Sequence, residues 1–176
     1  MKLELVPFTP VTFVDSVTCT LKAIPAAMNV SYLIKGDLGQ ICWPDDVQSS
    51  DNLWEHTCFE FFIASMDNER YYEFNQSSSG AWACYEFSRY RTDMTVSETI
   101  VTNNFLLSLD ENTCQVDLEV AFPHTDDFQL GLSVVLEDKN AKLHYFSLSH
   151  PLEKPDFHAR EHFAPVNKAT LLQELP

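Results

Sequence analysis

The chain is 176 residues long, with 45% hydrophobic and 21% charged residues. That is ordinary globular composition; it argues against intrinsic disorder and leads us to expect a single domain over residues 1–176. The formal charge of −15 argues against a nucleic-acid partner, which needs clustered Lys and Arg, and against anionic lipid.

No stretch approaches the run of about 20 apolar residues that a membrane helix needs. Residues 1–12 show neither the apolar run nor the basic cluster of a signal peptide. The five cysteines, Cys19, Cys42, Cys58, Cys84 and Cys114, are odd in number and form no CxxC pair. They read as reduced core thiols in a cytoplasmic protein.

In chain order, the first clear alternation is Val17, Cys19, Leu21 and Ala23, the mark of a half-buried strand. Gly36, Asp37 and Gly39 make a turn, and the polar stretch 45–52 after Pro44 a loop. Strands are expected at about 57–64, 70–77 and 81–88, with turns at 66–69 and 77–80 between them. A turn at 110–113 precedes Val116, Leu118, Val120 and Phe122, then Leu130, Leu132, Val134 and Leu136, a turn at 138–141, and the alternation of 143–148. Short helices are expected at 156–162 and 171–175. The spacing predicts an all-β antiparallel β-sandwich of jelly-roll or immunoglobulin-like type, with at most short helices.

Residues 53–91 are dense in aromatic rings. Alternation puts Glu60 and Phe62 on one face of the first strand, and Tyr71, Glu73, Asn75 and Ser77 on one face of the second. In the third, Trp82, Cys84 and Glu86 oppose Ala83, Tyr85 and Phe87. We expect one apolar face, and a polar one that gathers Glu60, Glu73, Asn75, Trp82 and Glu86. Such a face suits a sugar: a flat ring covers the C–H surface, while carboxylates and amides pair with the hydroxyls. A solvated sheet face has the same pattern. Further on, Pro151 and Pro155 stiffen a loop that carries Asp156 and His158.

Four segments carry a resemblance: Leu53-Trp54-Glu55-His56-Thr57-Cys58-Phe59-Glu60-Phe61-Phe62, Tyr72-Glu73-Phe74-Asn75-Gln76-Ser77-Ser78-Ser79-Gly80-Ala81-Trp82-Ala83-Cys84-Tyr85, Tyr90-Arg91, and Lys154-Pro155-Asp156-Phe157-His158. Over about residues 1–166 the chain resembles bacterial DOMON-like proteins, relatives of DOMON domains and of family 9 carbohydrate-binding modules. The resemblance implies a jelly-roll sandwich that binds a sugar or haem and does not act as a catalyst on its own.

Other chemistries have weaker support. His158-Ala159-Arg160-Glu161-His162 matches the H-x-x-E-H peptidase signature, but prolines bracket it and no long helix is expected. Haem would draw on His56, His150, His158, Met28, Met66 or Met94. Glu60 and Glu73 could serve glycoside hydrolysis if a cleft separates them suitably. Asp45, Asp46 and Asp51 could hold calcium, although their spacing fits no EF-hand.

The sequence thus points to a non-catalytic module for a carbohydrate-like small molecule, with no cofactor and no identifiable protein partner. The expected ligand-binding residues are Trp54 and Trp82 as platforms and Glu73 and Asn75 as hydroxyl partners, with Arg91, Asp156 and His158 closing one rim. A haem- or metal-binding domain is the first alternative and a glycoside-active enzyme the second.

Overall fold

The computed structural model describes residues 1–24, 27–45, 50–121 and 127–167. Its strands are β1 (Lys2–Pro7), β2 (Val14–Ile24), β3 (Ala27–Gly36), β4 (Cys58–Ser65), β5 (Tyr71–Ser77), β6 (Trp82–Phe87), β7 (Thr95–Val96), β8 (Val101–Leu109), β9 (Thr113–Ala121), β10 (Phe128–Glu137), β11 (Leu143–Ser147) and β12 (Ala164–Val166). All pair antiparallel, in the order β7-β6-β5-β4-β10-β11-β1-β2-β3-β9-β8, with β12 on β10.

The continuous sheet folds over at β1. Lys2 to Leu5 pair with β2, while Val6 and Pro7 pair with β11. One layer, β2-β3-β9, turns Val17, Cys19, Leu21, Val30, Tyr32, Ile34, Val116 and Leu118 inward. The other turns Phe59, Phe61, Ile63, Phe74, Leu132, Val134 and Phe146 inward to meet them. Tyr32 ties the layers: its ring lies 5.5 Å from that of Phe59, and its hydroxyl donates to the Glu60 carbonyl at 2.5 Å. This is the antiparallel β-sandwich that the alternation predicted, and its core rests on burial of the apolar faces of both layers.

The seven predicted strands all form. Strands β1, β3, the irregular β8 and the short β7 and β12 come in addition to these; β3 carries the same alternation, in Met28, Val30, Tyr32 and Ile34. Turns 66–69, 77–80, 110–113 and 138–141 close hairpins, with Gly80 at φ 93°, a conformation that costs glycine little. All five cysteines are free, and all but Cys42 are buried; burial pushes the Cys84 and Cys114 thiols up to about 12. Among the described residues no helix is long and apolar enough to cross a membrane.

Two expectations are corrected or left aside. The helix expected at 156–162 is only a 3-10 turn, Arg160–His162; His158 therefore does not sit one helical turn from His162, and the peptidase arrangement is absent. The helix expected at 171–175, like Phe122 and Asp46, lies outside the described residues.

Candidate functional site

The outer face of the β6-β5-β4-β10-β11 layer holds the site. Register decides which side chains share it. Glu60 pairs with Asn75 and Ser133, Phe62 with Glu73, Glu73 with Tyr85, and Val135 with Tyr145. Paired residues point to the same side of a sheet. The outer face therefore collects Glu60, Phe62, Glu73, Asn75, Ser133, Val135 and Tyr145.

Trp82 is not among them. It pairs with Gln76, on the inner side, and stacks on Phe74 with ring centroids 5.5 Å apart and planes at 18°. It packs, half-buried, against the main core. The reason is the β5–β6 turn. Ser77 donates its N–H to the Ala81 carbonyl, so three residues, Ser78 to Gly80, close the hairpin. That length puts Ala83, Tyr85 and Phe87, not Trp82, Cys84 and Glu86, beside Glu73. The expectation that Trp82 shares a face with Glu60 and Glu73 is corrected accordingly, and Glu86 moves with it, pairing with Arg70.

Two further segments build walls over the face. A 3-10 turn, Leu53–Glu55, follows Asn52 in a left-handed conformation; buried Leu53 anchors it, and the Trp54 indole meets the Tyr85 ring edge-on at 5.7 Å. The strap 150–163 crosses from the other side. Arg160 fastens it by donating to the carbonyls of Ser65 and Asn68 and to Gln129 Oε1. Phe163 lies so close over Gly131 that a Cβ there would come within 2.6 Å of its ring. Phe157 reaches toward Tyr145, with ring centroids 6.0 Å apart.

Between these parts lies a cleft of about 800 Å³. Its apolar walls are Trp54, Phe62, Phe87, Val135, Tyr145 and Phe157, and its polar groups are Glu55, Glu60, Glu73, Arg91, Lys154 and His158. Glu60 is 2% exposed and accepts a hydrogen bond from Ser133 Oγ at 2.8 Å. Burial, and then the charge of Glu73, pushes its carboxyl up to about 8. Glu73 accepts from Asn75 Nδ2 at 2.9 Å; burial raises it too, against the pull of Asn75 and Arg91. Asn75 is fully buried and acts on Glu73 rather than opening onto the cleft.

The rim is organised by Asp156, which is 8% exposed. It accepts from the Tyr90 hydroxyl, from Arg91 Nη2 at 3.2 Å and from the His158 N–H at 3.0 Å. Burial would raise its carboxyl; the bonds from Tyr90 and His158 and the charge of Arg91 overcome that and hold it low. Arg91 sits in a left-handed turn at φ 50° and donates its backbone N–H to the Tyr71 hydroxyl at 3.1 Å. The same hydroxyl lies 2.7 Å from His158 Nδ1, and the other ring nitrogen, Nε2, faces Glu73 Oε2 at 3.7 Å. Burial, helped by Arg91, lowers the His158 imidazole to about 4, so it is neutral at pH 7.

Of the seven predicted residues, Trp54, Glu73, Arg91 and His158 meet in the cleft, Asn75 and Asp156 support them from behind, and Trp82 is elsewhere. Cleft residues beyond the predicted set include Phe62, Phe87, Val135, Tyr145, Lys154 and Phe157. Tyr145 had a signal, since it alternates with Phe146. Glu60 was placed on the right face but not counted among the binding residues. Among the haem candidates in the described residues, His158 and Met94 line the cleft. Among the described residues no three His, Cys, Asp or Glu cluster so as to hold a metal ion.

No known protein family matches the chain by sequence, and no curated protein does. Solved structures do match by fold. A crystal structure from Bacteroides uniformis, described as that of a candidate carbohydrate-binding protein, aligns with a TM-score of 0.67 at 16% identity, over 95% of this chain and 85% of its own. A family 9 carbohydrate-binding module from Caldicellulosiruptor kristjanssonii in complex with cellotriose aligns at 0.55 and 10% identity, over 93% and 76%. The module of that family and organism with glucose gives 0.54 and 11%, over 90% and 78%. At these identities the likeness is one of fold.

Proposed function

We propose that the chain is a non-catalytic module that binds a carbohydrate or similar small polar ligand in the cleft over β4, β5, β10 and β11. The observation that carries this reading is the composition of the cleft: flat rings of Trp54, Tyr145 and Phe157 around two buried carboxylates and an Arg–His rim. Rings suit the C–H faces of a sugar, and acceptors at fixed positions suit its hydroxyls. The family 9 modules that share the fold were solved with cellotriose and glucose, which supports a saccharide here.

Kinship with DOMON-like proteins is part of the proposal. Its support is spatial: the four segments that carry the resemblance deliver Trp54 and Glu60, Glu73, Arg91, and Lys154 with His158 to one cleft.

The test is calorimetric titration of the protein with a set of mono- and disaccharides, repeated on Trp54→Ala. Saturable binding that the variant loses upholds the reading. Saccharide binding that survives the variant, or none at all, ends it. Release of product from chromogenic glycosides would move the reading to an enzyme using Glu60 and Glu73, and a Soret band in the purified protein would move it to haem.

A further inference from the structure

We infer that the ligand carries an ammonium group, seated beside Glu60 and Glu73 and flanked by aromatic rings; resting on the carbohydrate reading above, this names the class as an amino sugar.

The argument begins with unfilled acceptors. Glu60 and Glu73 stand on neighbouring strands as diagonal neighbours on one face, because Glu60 is opposite Asn75 and Phe62 opposite Glu73. Diagonal residues lie about 7–8 Å apart, within reach of one small group. Glu60 receives a bond from Ser133 on Oε2, and its other oxygen receives none among the described residues. Glu73 receives Asn75 on Oε1, while Oε2 is 3.7 Å from His158 Nε2, too far for a hydrogen bond. Both side chains are more than nine-tenths buried, and both border the cleft.

Charge points the same way. Neither carboxylate has a Lys or Arg in ion-pair contact among the described residues; Arg91 pairs with Asp156 and acts on Glu73 only through its charge, at longer range. A buried carboxylate without a countercharge is costly, and it takes up either a proton or a cation. The raised Glu60 carboxyl is the proton-bound form of that compromise. A sugar hydroxyl would give one donor and no charge. An ammonium gives three donors and the missing charge.

The walls complete the seat. Trp54, Phe62, Phe87, Tyr145 and Phe157 border the same cleft, and the negative ring face attracts a cation most strongly where water is excluded.

The experiment is titration at pH 7 of the wild type with glucosamine, galactosamine and mannosamine. The parent neutral hexoses, N-acetylglucosamine (similar shape, no charge) and putrescine (charge, no sugar) are titrated alongside. We expect at least one amino sugar to bind ten-fold or more tightly than its neutral parent and than N-acetylglucosamine. That preference should vanish in the Glu60→Gln, Glu73→Gln double variant. Because the wild-type comparison needs no variant, a folding defect cannot hide the answer. Neutral hexoses that bind as well as their amino counterparts overturn the ammonium seat and leave the carbohydrate reading standing. Putrescine binding with every sugar silent upholds the seat and removes the sugar. Silence from all probes overturns both.

Discussion

The hydroxyl of Tyr71 on β5 lies 2.7 Å from Nδ1 of His158 on the strap. The same oxygen accepts the Arg91 backbone N–H at 3.1 Å. One phenol oxygen therefore holds two loops, distant in sequence, against the floor of the cleft. The ring beneath is fixed separately, stacked on Phe87 at 4.8 Å with planes 4° apart.

Tyr71→Phe keeps that stacking and removes the oxygen. It leaves a part-buried N–H and an imidazole nitrogen without their partner, which should cost about 1–3 kcal/mol. Urea unfolding will show a lower midpoint with an unchanged slope. Ligand affinity should fall as well, since Arg91 and His158 lose their common support.

His158 should stay neutral well below the usual histidine range. Its folded value of about 4 lies under the ordinary 6.5, so the unfolded chain takes up a proton more readily between those values. The contribution of His158 to stability is complete above about pH 6.5 and is lost as pH falls toward 4. Imidazole NMR titration should find no His158 midpoint between pH 5 and 8; one at 6 or above would show the ring to be solvated.

Glu60 works in the opposite direction. Its folded value, about 8, exceeds the ordinary 4.5, so the folded chain holds the proton more tightly. Stability from this group is complete below about pH 4.5 and declines as pH rises toward 8. Glu60→Gln removes the group that ionises while keeping an acceptor for Ser133. The variant should be more stable than wild type at pH 9, by up to a few kcal/mol, and nearly equal to it at pH 4.5. Thermal melts across that range will read the divergence.

The two tryptophans should separate cleanly. Trp82 stacks on Phe74 and packs against the core; Trp82→Ala should cost about 2–4 kcal/mol in stability and leave ligand affinity nearly unchanged under conditions where the protein is folded. Trp54 borders the cleft, meets Tyr85 edge-on and packs, partly buried, against the small outer cluster of Phe62, Tyr85 and Phe87. Trp54→Ala should cost under about 1.5 kcal/mol and abolish binding. Paired melting and titration on both variants give the four numbers needed.

Much of this was legible in the sequence. The period-two runs around Val17, Val116, Leu130 and Leu143 record burial of one face, and burial is imposed residue by residue. The same local rule put Glu60 with Phe62, and Glu73 with Asn75, on common faces. The strand β8 is hidden in the sequence because Phe105, Leu106 and Leu107 are apolar in a row; its burial alternates over 104–108, with Leu106 exposed on the edge between half-buried Phe105 and Leu107.

What alternation does not contain is the phase between strands. Whether Trp82 or Ala83 joins Glu73 depends on the number of residues that close the Ser77–Ala81 turn, and one residue more or less would exchange the faces. Sequence also gave no means of placing Tyr145 beside Val135, or of laying the strap over Gly131. The first is set by the register of a single hairpin, and the second joins Gly131 and Phe163, which lie well apart along the chain and meet only once the strap has packed on the sheet. The sequence by itself determined a two-faced antiparallel sandwich with acids gathered on one strand face. The tertiary structure decided which rings stand around those acids, because register and strand order are properties of pairs, set by turn length and packing rather than by the pattern within any one strand.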